Sequence, residues 1–135
     1  MISFDKMHGN GNDFIVLNSI DNTHKLSKSK IKKLSDRNFG IGFDQVILIG
    51  PPTKDSFDFS IRFFNADGGE ASMCLNGIRC AASYVWRNNF APKKSCFVIY
   101  VQGLNKNEFA LISYKLYLSG SSMIGKIITV WPEPI

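Results

Sequence analysis

Apolar and polar residues alternate in some stretches of this chain and cluster in others, and the two habits predict different elements. Phe57, Phe59, Ile61 and Phe63 alternate with Asp58, Ser60 and Arg62, the period of a strand with one covered face. Phe43 to Ile49 is almost continuously apolar and predicts a buried strand, which Pro51 and Pro52 end. Residues 2 to 6 and Phe14 to Asn18 predict two more short strands, with Met7 to Asp13 between them as a turn-rich loop. Ile31 and Leu34 are spaced as the core-facing stripe of a short helix over Lys28 to Asp36. Ser27 is its candidate cap, and Gly40 and Gly42 stop it. Asn65-Ala66-Asp67-Gly68-Gly69 has strong turn chemistry.

From Gly77 to Trp86 almost every residue is small or apolar. A helix beginning near Asn76 is therefore expected to be buried on most sides, and Asn88, Asn89 and Pro92 close it. Cys96 to Val101 and Glu108 to Leu118 predict later strands, with a hairpin turn at Gly103 to Asn107. Ile127 to Trp131 predicts a last strand before Pro132 and Pro134. There is no internal repeat and no linker. The order of elements fits one α+β domain, 1–135, with a buried helix against a curved sheet; the pattern weakens over 113–135.

Composition adds bounds to this picture. The chain has 135 residues, 44% of them hydrophobic and 20% charged, enough for a packed core, and eleven Phe suggest that large rings fill it. The three Cys show neither a C-x-x-C pair nor metal-ligand spacing, so a reducing, cytoplasmic location and no metal are expected. Met1 to Lys6 lacks the apolar core of a signal peptide, and the apolar stretch Phe109 to Trp131 is too interrupted to span a membrane. The net charge of +5 owes much to Lys25, Lys28, Lys30, Lys32, Lys33 and Arg37. These read as a solvated helix face rather than a phosphate-binding patch, because the interleaved aromatics of single-strand binders are missing. Neither nucleic acid nor membrane is expected as a partner.

Candidate chemistry gathers around Cys74. It sits just before a predicted helix N-terminus, where unpaired backbone N–H groups and the positive end of the helix dipole stabilise a thiolate and can also hold a carboxylate. A thiolate beside a bound carboxylate can move a proton at the adjacent carbon. The competing reading is a buried structural thiol, and it is stronger still for Cys80. Gly9-Asn10-Gly11-Asn12-Asp13 lacks the features of a dinucleotide or P-loop motif, so it is either a tight turn or a loop through which Asn12 offers an amide to a ligand. His8 is a weak acid/base candidate. Asp44-Gln45 and Asn65 are polar strand ends that either line a site or cap turns.

Four blocks in order resemble diaminopimelate epimerase: Lys6 to Phe14; Asp36-Arg37 with Gly40 to Gln45; Phe64 to Gly68; and Cys74 to Cys80. The resemblance covers residues 1 to about 100. It implies a barrel-like mixed sheet wrapped around a central buried helix, as one of two similar domains. It also implies interconversion of LL- and meso-diaminopimelate, in lysine and peptidoglycan precursor biosynthesis, by two cysteines on opposite faces of the α-carbon without cofactor. Cys74 corresponds to the first cysteine, Asn12, Gln45 and Asn65 to substrate-binding positions, and Asn76 and Gly77 to the carboxylate-holding helix start. Leu75 departs from the family's glycine, and the family's second domain has no counterpart within these residues. That half, or self-association over the surface it would cover, is the expected partner besides diaminopimelate. The alternatives are a non-catalytic remnant, a substrate-binding module, or another isomerase of the same fold.

Overall fold

The computed structural model describes residues 2–21, 23–52, 55, 57–71, 74–90, 96–101, 108–113 and 126–132. Strands β1 (Asp5–Gly9) and β2 (Asn12–Asn18) form an antiparallel hairpin in which Gly9 faces Asn12. Only Asn10 and Gly11 make the turn, with φ of 53° and 83°, the positive pair that Asn-Gly hairpins adopt. The expectation of a loop over Met7 to Asp13 is thereby corrected. These residues are polar because β1 is an edge strand on which Asp5, Lys6 and His8 are exposed.

Helix α1 (Lys28–Ser35) leads from β2 to β3 (Gln45–Gly50), which pairs parallel to β2. Ser27 caps it as predicted, its hydroxyl accepting the Lys30 N–H at 3.2 Å. Ile31 is the buried anchor of the helix, while Lys28, Lys30, Lys32 and Lys33 are exposed. Strand β4 (Phe59–Asn65) runs antiparallel to β3, and β5 (Glu70–Ala71) folds back onto β4. Arg62 fixes that return, bonding both oxygens of Glu70 while lying 5.0 Å over the Phe64 ring.

Helix α2 (Leu75–Arg87) leads to β6 (Cys96–Val101), parallel to β4. An antiparallel run through β7 (Glu108–Ser113) and β8 (Lys126–Pro132) completes the described sheet, ordered β1-β2-β3-β4-β6-β7-β8. The predicted turn at Gly103 to Asn107, together with Met73 and Pro92, lies outside the described residues.

Two parallel crossovers, β2-α1-β3 and β4-α2-β6, move across the sheet in the same direction with strands of opposite sense. Right-handed crossovers then place their helices on opposite faces, and the cores show that they do. Phe14, Val16, Ile47, Ile49, Ile61 and Phe63 pack with α2. Ile15, Leu17, Val46, Leu48 and Phe64 pack with Ile31 of α1. The central strands are covered on both sides, which is why Phe14 to Leu17 and Val46 to Ile49 are unbroken apolar runs. The fold is thus a mixed α+β sheet with one helix on each face. Among the described residues, no helix is long and apolar enough to cross a membrane.

Candidate functional site

The N-terminal ends of β2 and β3, the C-terminal end of β4 and the start of α2 meet at one end of the sheet. Parallel pairing sets Gln45 beside Phe14, and antiparallel pairing sets Asn65 beside Gln45. The start of α2 reaches this end because Gly9 and Gly77 carry no side chain. A Cβ on Gly9 would lie 3.2 Å from Asn76. A Cβ on Gly77 would lie 2.5 Å from the fully buried Phe63 ring and 3.3 Å from that of Phe14. The glycine after Asn76 therefore has a packing role, in addition to the backbone N–H it offers in the first helical turn.

Cys74 is the residue at the helix cap position, extended at φ −140° and ψ 114°. Its carbonyl accepts the Ile78 N–H at 2.9 Å, but no side-chain cap hydrogen bond is made there. The first-turn donors of α2 are thus not consumed by a cap as those of α1 are. The half-buried Cys74 thiol donates to Asn12 Oδ1 at 3.4 Å, across 62 positions of sequence. Asn76 accepts from the Asn10 amide at 3.3 Å. Leu75 is 51% exposed, so its branched side chain points away from the core.

Behind Asn12 lies a charged cluster. Asn12 Nδ2 donates to Asp44 Oδ2 at 2.7 Å, and the Asp13 N–H reaches the same oxygen at 3.1 Å. Arg37 grips Asp13 with two bonds, 3.0 and 2.8 Å, and reaches Asp44 Oδ1 at 3.0 Å. Lys6 pairs with Asp13 at 3.0 Å and also donates to the Gly42 carbonyl. The Arg37 guanidinium, aided by Lys6, holds the Asp13 carboxyl well below the usual carboxylate range, while burial pulls the other way.

Gln45 and Asn65 form a second pair at this end, Gln45 Nε2 donating to Asn65 Oδ1 at 2.8 Å. Gln45 Oε1 is buried and has no hydrogen-bond partner among the described residues. Cys80, one and a half turns into α2, is buried and packs in the core; burial pushes its thiol up to about 11. The two thiols of α2 are thus chemically distinct, Cys80 serving as core and Cys74 lying at the helix mouth. His8 is exposed on β1 and makes no described contact with Cys74. The structure brings Asn12, Cys74, Asn76 and Gly77 together, and places Gln45 and Asn65 as a separate bonded pair at the same sheet end.

Sequence reasoning left Asn10 and Lys6 out of the site, and it took Asp44 for a strand-end polar group. A carboxylate two positions before the four-residue apolar run Val46 to Ile49 was the available signal, since such a charge needs a partner. An open cavity of about 340 Å³ lies elsewhere, under α1, lined by Phe4, Ile15, Leu17 and Leu34. It is on the sheet face opposite α2 and carries none of this chemistry.

A family model described as diaminopimelate epimerase matches residues 4–115. Among solved structures the chain is similar to a methylitaconate-delta-isomerase, at 15% identity and a TM-score of 0.65, over 84% of this chain and 35% of that one. It is similar to a phenazine biosynthesis protein of the PhzF family from Bacillus anthracis, at 14% identity and a TM-score of 0.58, over 87% and 36%. A hydroxyproline epimerase from Agrobacterium vitis, with bound trans-4-hydroxy-L-proline, follows at 11% identity and 0.57, over 83% and 37%. At such identities the likeness establishes the fold, and the chain spans little more than a third of each of these structures.

Proposed function

The chain belongs to the diaminopimelate epimerase family, and on that premise we propose that the mouth of α2 is one half of a two-base epimerase site for diaminopimelate. The observation that carries this reading is Cys74 at a helix start without a side-chain cap, its sulfur 3.4 Å from the Asn12 amide oxygen. The substrate's α-carboxylate accepts from the Asn76 and Gly77 N–H groups. One thiolate takes the α-proton, forming S–H as C–H breaks, and the electron pair spreads into the carboxylate. The helix end stabilises the charge that develops there. A thiol on the other face then delivers its proton to the carbon, completing inversion. Cys74 is one of these two groups, and which of them removes the proton depends on the epimer bound.

The opposing thiol belongs to a second domain of the kind the family resemblance implies, or to another copy that supplies it. In this reading the complete sheet closes around α2 in the barrel-like manner of the family, and Gln45 and Asn65 meet the substrate's polar groups beyond the reacting carbon. The chemistry as drawn uses side chains and backbone alone. It fits an isomerase of amino-acid metabolism working in the cytoplasm.

The test is exchange of deuterium from heavy water into the α-position of diaminopimelate. With the epimer whose α-hydrogen faces Cys74 the wild-type chain is expected to exchange, and Cys74→Ala to lose at least about 10²-fold, the usual contribution of a positioned proton-transfer group. Equal exchange by both proteins would remove Cys74 from the mechanism. A second reading, a binding module without turnover, is favoured by the exposed Leu75 in place of glycine. Calorimetric binding of diaminopimelate with no exchange would select it.

A further inference from the structure

We propose that Asp44 is a positioning residue which, through the Asn12 amide, keeps Cys74 as the proton-bearing thiol of the resting site. The proposal rests on the reading of Cys74 as a proton-transfer group and assigns it a starting role. The Asn12 side chain lies between two partners, with Nδ2 2.7 Å from Asp44 Oδ2 and Oδ1 3.4 Å from Cys74 Sγ. An amide can occupy such a gap in two orientations that exchange its oxygen and nitrogen. An ionised carboxylate accepts hydrogen bonds and donates none. Only the orientation with NH₂ toward Asp44 makes a bond on that side; the other sets oxygen against oxygen.

The amide oxygen is therefore aimed at the sulfur, and it can only accept. The contact forms when the sulfur carries its hydrogen, and a thiolate in the same place meets the negative end of the amide dipole instead. Asp44 does not turn away to relax this. Its Oδ1 is held by Arg37 at 3.0 Å, its Oδ2 by the Asp13 N–H at 3.1 Å, and its own N–H by Asp13 Oδ1 at 3.0 Å. Arg37 is itself fixed by the two-pronged bond to Asp13.

A two-base inversion starts with one S–H and one S⁻. If Cys74 starts as the S–H, the thiol on the opposite face starts as the base. The resting site is then matched to the epimer whose α-hydrogen points away from Cys74. After one turnover the roles are reversed, and the Asp44–Asn12 pair favours return of the proton to Cys74 before the next substrate of the same hand is bound.

The experiment is alkylation by iodoacetamide at fixed neutral pH, with Cys74 and Cys80 read separately by mass spectrometry. Wild type, Asp44→Asn, Asn12→Ala and the double variant are compared. Asparagine at position 44 frees the Asn12 amide to turn and donate to sulfur, so Cys74 alkylation is expected to rise about tenfold, the worth of one hydrogen bond to a charged group. In the Asn12→Ala background the same change is expected to do nothing, because the relay is gone. An unchanged rate in Asp44→Asn would overturn the proposal. So would an equal acceleration with and without Asn12, which would mean that Asp44 acts by charge or by general loosening. Buried Cys80 reports on the fold: should it become reactive in Asp44→Asn, Asp44→Ser takes its place, with the same two outcomes deciding. No substrate is involved. Absence of heavy-water exchange with the cycle intact counts against the epimerase reading alone, whereas exchange with an additive cycle counts against the positioning role alone.

Discussion

The two helices begin in opposite ways. At the start of α1 the Ser27 hydroxyl takes up a first-turn donor, and the exposed side of the helix is lysine and solvent. At the start of α2 the cap position holds a cysteine that makes no side-chain cap bond, and its sulfur turns to a strand 62 residues earlier. A cap satisfies a helix locally. Leaving it out costs stability and leaves N–H groups facing the space beside the sulfur. The same polypeptide thus has one helix finished for stability and one left uncapped beside the Cys74 sulfur, where we propose that a carboxylate binds.

The largest effect that tests this contrast comes from the anchors. Ile78 and Ile31 are each essentially fully buried, on opposite sheet faces. Truncating either to alanine is expected to cost about 2–5 kcal/mol in urea unfolding. Ile78→Ala should also disturb Cys74, four residues away and one turn up the same helix, and so change its alkylation rate; Ile31→Ala should leave that rate as in wild type. If both behave alike, the helices are not separable in function.

An effect of intermediate size comes from the caps themselves. Ser27→Ala should lower stability by about 1 kcal/mol, whereas Cys74→Ser should raise it by about 0.5–1 kcal/mol while abolishing proton transfer. Opposite signs in thermal unfolding would sharpen the contrast, and a destabilised Cys74→Ser would break it.

The smallest effect concerns the ionic bridge from the segment after α1 to β2. Asp13 is held ionised by Arg37 and Lys6. Its contribution is present above the ordinary carboxylate value of 3.8 and is lost as pH falls below that toward the depressed folded value. Wild type should therefore lose stability below about pH 4 more steeply than Arg37→Gln, and salt should narrow the gap because the guanidinium is exposed.

Both helices were legible because each is encoded locally: α1 by Ser27, Ile31 and Leu34, and α2 by its small and apolar run. Strand β6 was read to its residue limits, Cys96–Val101. The two strands of the hairpin were read but its turn was drawn too long, because an exposed edge strand needs no apolar face and Met7 to Asp13 therefore resembles a loop in composition. Strand β5, two residues long, has no period to detect. In the candidate site, Cys74 stood out through its place before a helix. Asp44 did not, because its meaning comes from Asn12 and Arg37, partners that pairing across the sheet selects and that no spacing along the chain announces.

The Asn10-Gly11 turn has a consequence for how the site is assembled in time. A two-residue hairpin closes on a microsecond scale and involves little loop entropy. Asn12 is thus set in place early, next to the turn that registers it. The sulfur, 62 positions further on, can join only after the β2-α1-β3 crossover and β4 have formed. The acceptor waits for its donor, so the Cys74–Asn12 contact marks the closure of a 62-residue loop, and thiol reactivity during refolding would serve as its clock.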